Sequence, residues 1–169
     1  MEILLIALYL FLVLQRVGEL VIARSNRRWM LERGAREVGE NHYFLFIVLH
    51  SLFFVSIGLE FYLTPFQWNP LFYPALSAFF ILQILRIWCI ATLGRRWNTR
   101  ILVLPDEEPI SKGLYRVIKH PNYVIVFFEL IVIPVLFHAY LTALIFPFLH
   151  LMVLTVRIPA EEKALQERI

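Results

Sequence analysis

The stretch Gly113-Leu114-Tyr115-Arg116-Val117-Ile118-Lys119-His120-Pro121-Asn122-Tyr123 gathers cationic side chains, an imidazole and two phenols directly ahead of an apolar run. Proline suits the first position of a helix and pushes the residue before it out of the helical region. Lys119 and His120 are therefore expected on a bend at a helix mouth, beside unpaired N–H groups and the positive end of the dipole. Such a bend can hold an anionic or polar ligand. The plainer reading is a basic loop flanking a membrane segment. A second polar stretch, Arg157-Ile158-Pro159-Ala160-Glu161-Glu162-Lys163-Ala164-Leu165, comes after the last apolar run. Its paired carboxylates could bind a ligand or simply complement a helix dipole.

The elements that must position these residues are membrane helices. The chain has 169 residues, is 60% hydrophobic and has a mean hydropathy of +0.70, well above soluble domains of this length. An all-α integral membrane bundle in one domain, 1–169, is expected. Residues 1–70 would form N-terminal helices with an amphipathic loop, and 71–169 a cofactor-binding half. Apolar runs at about 3–23, 43–63, 71–92, 122–137 and 139–156 give five transmembrane helices, the last two a hairpin turning around Phe137–Tyr140. Residues 24–42 read as an amphipathic surface helix broken at Gly34 and Gly39. Residues 66–70 read as a short uncharged loop after Pro65, 94–119 as a polar segment around Asp106-Glu107-Glu108, and 157–169 as a charged helical tail. The opening Met1-Glu2 has no positive n-region or cleavage site, so the first run reads as a retained span.

The net charge of +3 matters less than its placement. Of 16 Lys and Arg residues, five lie in 24–42, six in 93–120 and three in the tail. The segments between, on the opposite side, have none. An outside N-terminus and a cytoplasmic C-terminus put every basic loop in the cytoplasm, most simply of a bacterial cell membrane.

Arg16 and Arg86 fall inside spans, and depth can be counted for them. Arg16 lies eight residues before Arg24, His50 eight after His42, Arg86 six before Thr92 and Glu129 eight after Pro121. At about 1.5 Å per residue these sit about 9–12 Å below the inner surface, with Gln15, Glu19 and Gln83 close to that level. Charges facing lipid are costly, so they should face inward and pair. Arg16 with Glu19 can pair at i,i+3, and Arg86 with Glu129 across helices. Such a layer is either a set of structural ion pairs or the polar floor of a reaction pocket open to the cytoplasm. Glu60 is expected near the outer interface, His138 in a turn and His150 as a satisfied helix histidine.

Several chemistries are disfavoured. The six glycines never form Gly-x-Gly, so neither a Rossmann fingerprint nor a P-loop is present. Cys89, the single cysteine, reads as an apolar filler. The five histidines show no metal-ligand spacing, and neither a metal nor a nucleic acid is expected as a partner.

Taken together, the two polar stretches resemble the isoprenylcysteine carboxyl methyltransferase family and its relatives among phospholipid methyltransferases. That family's pattern is Gly-Pro-Tyr, a spacer, Arg-His-Pro-x-Tyr-x-Gly, a hydrophobic hairpin, then Arg-x-x-x-Glu-Glu-x-x-Leu. Here Gly113, Tyr115, His120, Pro121, Tyr123, Arg157, Glu161, Glu162 and Leu165 match, and Gly94 and Trp97 are similar to a Gly-x-x-Trp segment ahead of it. Leu114, Lys119 and Val124-Ile125 depart from it. The likeness covers about 75–165, and the first half looks most like short bacterial members, some associated with O-methylation of long-chain alkylpyrones.

The resemblance implies S-adenosyl-L-methionine held between Tyr115, Lys119, His120, Pro121 and Tyr123 on one side and Glu161 and Glu162 on the other. Arg157, Glu161 and His120 would be the catalytic residues, Arg157 steering an anionic acceptor with Arg16 or Arg86 as deeper alternatives. Arg16, Glu19, His50, Arg86, Trp97 and Glu129 would line the pocket for a lipid-like acceptor entering sideways from membrane lipids. Two other readings stay open. Membrane sterol and steroid reductases, which bind NADPH, carry a similar His-Pro-Asn-Tyr stretch, and a non-catalytic scaffold could use the same polar residues structurally.

Overall fold

Charge alone does not end a helix when one face still has something to bury. A computed structural model describes residues 2–64, 69–105 and 107–167. In it α1, Glu2–Leu31, runs unbroken for 30 residues. Ala23, Asn26 and Met30 recur at helical spacing and are buried, so the helix passes straight through the first part of the expected surface segment. The reading of 24–42 as a separate surface helix is thus corrected. After Leu31 the chain makes a turn and then a strand, β1 (Arg36–Val38), flanked by Gly34 and Gly39 at positive φ of 82° and 74°. β1 pairs antiparallel with β2 (Ile101–Val103), Arg36 opposite Val103 and Val38 opposite Ile101. This two-stranded ribbon was not expected.

The remaining helices are α2 (Glu40–Leu63), α3 (Phe72–Leu93), α4 (Pro121–Leu136) and α5 (Tyr140–Gln166). The architecture is all-α apart from the ribbon. Four helices are long and apolar enough to cross a membrane, and α4 is a shorter apolar one of 16 residues, about 24 Å. Pro121 takes the first position of α4, with His120 as the non-helical cap, as its sequence position implies. The expected division between a fifth span and a separate tail does not occur, because α5 carries Arg157, Glu161 and Glu162 on the same 27-residue helix. Pro65, residues 66–68, Asp106 and the last two residues of the tail lie outside the described residues.

α4 packs between α3 and α5, and α5 packs on α2. α1 leans on this group through side chains. Leu5 and Leu12 enter a core with Phe53, Ile57, Phe79, Leu130, Ile133 and Leu136, and the Tyr9 hydroxyl donates to the Phe54 carbonyl at 2.9 Å. The outer faces carry exposed Leu10, Phe44, Phe80, Ile84, Leu144 and Phe148, an apolar belt suited to lipid. At one end the α4–α5 turn places His138 at φ 60°. Glu60, rather than merely reaching an interface, accepts the Thr142 and Leu141 N–H groups at 2.7 and 3.1 Å and so caps α5. At the other end Ile101 and Val103 pack on Ala164, folding the polar segment over the start of α4 and the end of α5.

Candidate active site

The polar residues counted to one depth do meet. Arg16 donates to Glu19 at 2.9 Å and to Glu129 at 2.8 Å; Arg86 donates to Glu129 at 3.0 Å and to Glu19 at 2.6 and 2.5 Å. Gln83 donates to Glu129 at 3.0 Å and Gln15 to Gln83 at 2.7 Å. Two guanidiniums and two carboxylates therefore neutralise one another across α1, α3 and α4. Glu129 and Arg86 are 1% and 6% exposed, so each depends on its partners and not on water. His50 on α2 approaches the same region, its Nδ1 2.9 Å from the Phe46 carbonyl oxygen.

The two motif stretches meet at the other side. The i,i+3 spacing of His120 and Tyr123 puts their rings together at 5.6 Å, and the i,i+4 spacing of Arg157 and Glu161 puts both on one face of α5. The Tyr123 hydroxyl donates to Glu161 at 2.5 Å and accepts from Arg157 Nε at 3.1 Å. His120 Nε2 lies 3.2 Å from Glu162, and its Nδ1 3.7 Å from Glu161. The nearby Glu161 carboxylate raises the imidazole above its ordinary 6.5; burial opposes this, and the bond to Glu162 adds to it. Arg157 Nη2 donates to the Thr99 carbonyl at 2.9 Å, tying α5 to the segment before β2.

Between these two groups lies a cavity of about 530 Å³, within the range of small-molecule sites. Its deep side is lined by Arg16, Glu19, His50 and Arg86, its mouth by Tyr115, His120, Tyr123, Arg157 and Glu161, and Trp97 through Val103 form part of its wall. Four expected residues stand off this surface. Glu129 sits behind Arg16 and Arg86, and Pro121 is buried in the first turn of α4. Lys119 and Glu162 pair with each other at 2.7 Å on the rim, the lysine side chain 69% exposed. The Tyr115 phenol borders the cavity and lies against the buried Cys89 thiol.

Other site residues escaped the sequence reading. Phe46 stacks near both His50 and Tyr123, and Tyr43 bonds Thr99 at 3.0 Å. Glu37 on β1 joins α1 to the wall, accepting from Arg27 at 2.7 Å and from Arg100. Asn98 and Asn26 stitch the wall to α1, donating to the Ala23 and Trp97 carbonyls at 3.0 and 2.8 Å. Thr99 and Asn98 stood inside the segment that drew attention for Trp97. Glu37 had no local signal, since its partner Arg100 is 63 residues away.

Four buried polar atoms on cavity-lining residues have no hydrogen-bond partner among the described residues: Arg157 Nη1, Asn122 Oδ1, Trp97 Nε1 and His150 Nδ1. A ligand bearing a carboxylate and N–H or O–H groups would satisfy them. The isoprenylcysteine carboxyl methyltransferase (ICMT) family model matches residues 75–167, which include every motif residue at the mouth. The chain belongs to this family. It is 42% identical over 156 residues to the uncharacterized protein YpbQ of Bacillus subtilis (strain 168), covering 92% of this chain and 93% of the relative. It is 25% identical over 151 residues to an uncharacterized protein of Haemophilus influenzae (strain ATCC 51907 / DSM 11121 / KW20 / Rd), covering 89% and 88%. No solved structure matches the chain. ICMT family membership and the apolar helices together mark an integral membrane protein of methyltransferase type.

Proposed function

We propose that this protein is a methyltransferase that uses S-adenosyl-L-methionine to methylate an oxygen of a lipid-like acceptor resident in the membrane. The observation that carries the reading is the bonded chain Arg157–Tyr123–Glu161 with His120, set at the mouth of a cavity whose floor is the neutral Arg/Glu layer. The mouth fits the cofactor's chemistry. Arg157 Nη1 is an unused donor for a carboxylate, Glu161 an acceptor for ammonium or ribose hydroxyl groups, and Tyr123 and Phe46 offer flat faces to an adenine. Lys119 and Glu162 close the rim as an ion pair, and Pro121 fixes the bend that carries His120.

When bound, the cofactor supplies an electrophilic methyl group on a sulfonium. The protein's contribution is alignment and exclusion of water. Trp97 and the segment to Val103 wall the cavity; Arg16, Glu19, Arg86 and Glu129 hold α1, α3 and α4 in register around it. The acceptor's tail has a lateral way in. Val17 and Leu20 of α1 and Ile47 and Val55 of α2 line the cavity and are also 50–63% exposed on the outer surface. A long alkyl chain could lie between these helices with its polar head inside. A long-chain alkylpyrone is one acceptor of this shape. The placement of basic residues supports five spans with the N-terminus outside and this mouth facing the cytoplasm of a bacterial cell membrane.

The test is calorimetric titration of detergent-purified protein with S-adenosyl-L-methionine and with NADPH, alongside Glu161→Ala and His120→Ala. Binding of the sulfonium cofactor alone, weakened in both variants, is expected. Binding of NADPH instead would move the protein to the reductases, and binding of neither to folded protein would leave a scaffold.

A further inference from the structure

The deep half of the cavity has no spare charge. Arg16 and Arg86 are matched one for one by Glu19 and Glu129, their bonding nitrogens already spent on carboxylates. A carboxylate brought there would add a buried negative charge with no cation of its own, which is costly. At the mouth, Arg157 is bonded through Tyr123 to Glu161, so its charge is partly answered as well. A neutral hydroxyl enters without that cost, but must then lose a proton inside the protein.

One group is built to take it. The Phe46 carbonyl can only accept, so the neutral ring of His50 carries its hydrogen on Nδ1 and presents a bare lone pair on Nε2. No described group bonds Nε2, and His50 lines the cavity. His120 and His150 also line the cavity: His120 Nε2 lies 3.2 Å from Glu162, and His150 turns Nε2 to the Tyr123 carbonyl at 3.3 Å while its buried Nδ1 has no partner among the described residues. The charged and titratable groups that act on the His50 ring are Arg16 from α1, Arg86 from α3 and His150 from α5. With both guanidiniums already matched by Glu19 and Glu129, the counter-charge for an oxyanion formed here is the imidazolium beside it.

Building on the methyltransferase reading, we propose that the acceptor is an acidic hydroxyl, an enol or phenol, and that His50 Nε2 takes its proton. In that step the acceptor O–H bond breaks with its proton passing to Nε2, and an oxygen lone pair forms the bond to the methyl carbon. The carbon–sulfur bond breaks with its electron pair going to sulfur, leaving a neutral thioether. The imidazolium then gives its proton to water.

The probe is an alkyl-chain 4-nitrophenol, whose phenolate is coloured, titrated into cofactor-free protein in detergent. Wild type should ionise the bound probe at pH values where empty micelles leave it protonated, and should release no proton to a pH dye, because the ring keeps it. His50→Gln retains an N–H for the Phe46 carbonyl but offers no base. It should bind the probe without ionising it and, with S-adenosyl-L-methionine present, methylate it about 100-fold more slowly or worse. Equal ionisation in His50→Gln, or one proton released per probe by wild type, would overturn the assignment; the wild-type proton count decides alone if the variant fails to fold. A cofactor isotherm on the same sample separates the two levels. Cofactor binding with a failed His50 result sinks only this inference, whereas no cofactor binding sinks the methyltransferase reading beneath it.

Discussion

Removing one charge from the buried layer should be the most damaging conservative change in the protein. In Glu129→Gln the side chain keeps its shape, but the carboxylate that receives Arg16 at 2.8 Å and Arg86 at 3.0 Å becomes neutral. Its new amide hydrogens must also share space with those guanidiniums. The layer passes from balanced to one uncompensated positive charge, at a residue only 1% exposed. Breaking a buried pair by removing one partner costs about 3–5 kcal/mol. At about 2–4 °C per kcal/mol for a chain of this size, Tm in detergent should fall by roughly 6–20 °C. The internal control is Lys119→Gln, which breaks the exposed Lys119–Glu162 pair; water and salt screen such a pair, so Tm should barely move. The double variant Arg16→Gln/Glu129→Gln restores neutrality and should recover part of the loss. A Glu129→Gln shift no larger than that of Lys119→Gln would refute the claim that charge balance in this layer holds α1, α3 and α4 together.

Because His120 is raised by the Glu161 carboxylate beside it and by its bond to Glu162, its stabilisation is fully present below its ordinary 6.5 and lost as pH rises through the raised value. Wild-type Tm should therefore decline on the alkaline side of 6.5, and His120→Gln should flatten that decline in a thermal scan across pH. Glu37 behaves oppositely. Burial works against its charge, but the hydrogen bonds from Arg100 and Arg27 outweigh this and hold it below its ordinary 4.5. Its stabilisation is present above 4.5 and lost as pH falls through the lowered value, so Glu37→Gln should blunt acid destabilisation between those values. Gly39→Ala places a Cβ against the His42 ring at a φ of 74°, and should cost about 1–2 kcal/mol by the left-handed strain alone. Gly18→Ala, which meets nothing within 4 Å, should leave Tm unchanged or higher in the same assay.

Much of this molecule was readable because a bilayer restricts what a chain can do. Apolar length marks the helices, and the cost of a charge in lipid forces Arg16, Glu19, Arg86 and Glu129 toward one another whatever else they do. Pro121 announced both the start of α4 and the bend carrying His120. The ribbon was illegible for the opposite reason. Three-residue strands 63 or more residues apart carry no periodicity, and Arg36 and Glu37 look like any charged surface segment until Arg100 stands opposite. The continuation of α1 rested on Asn26, a polar residue that is buried only because the Trp97 carbonyl waits for it. Neighbours in sequence also part company in space. His120 and Glu161 turn into the cavity while Lys119 and Glu162, one residue away, pair on the rim, a difference set on α5 by helical face and at 119–120 by the bend ahead of Pro121.

Methyl transfer to a membrane lipid can be tracked by the methyl group itself. Purified protein is incubated in detergent with S-adenosyl-L-methionine labelled in its methyl group and a total lipid extract, and label is then counted in the organic phase. Label should appear in a discrete lipid species with wild type and be lost with Glu161→Ala, which removes the carboxylate bonded to Tyr123. Label that passes equally with wild type and Glu161→Ala, or never enters lipid although the cofactor binds, would contradict a methyltransferase working at this mouth.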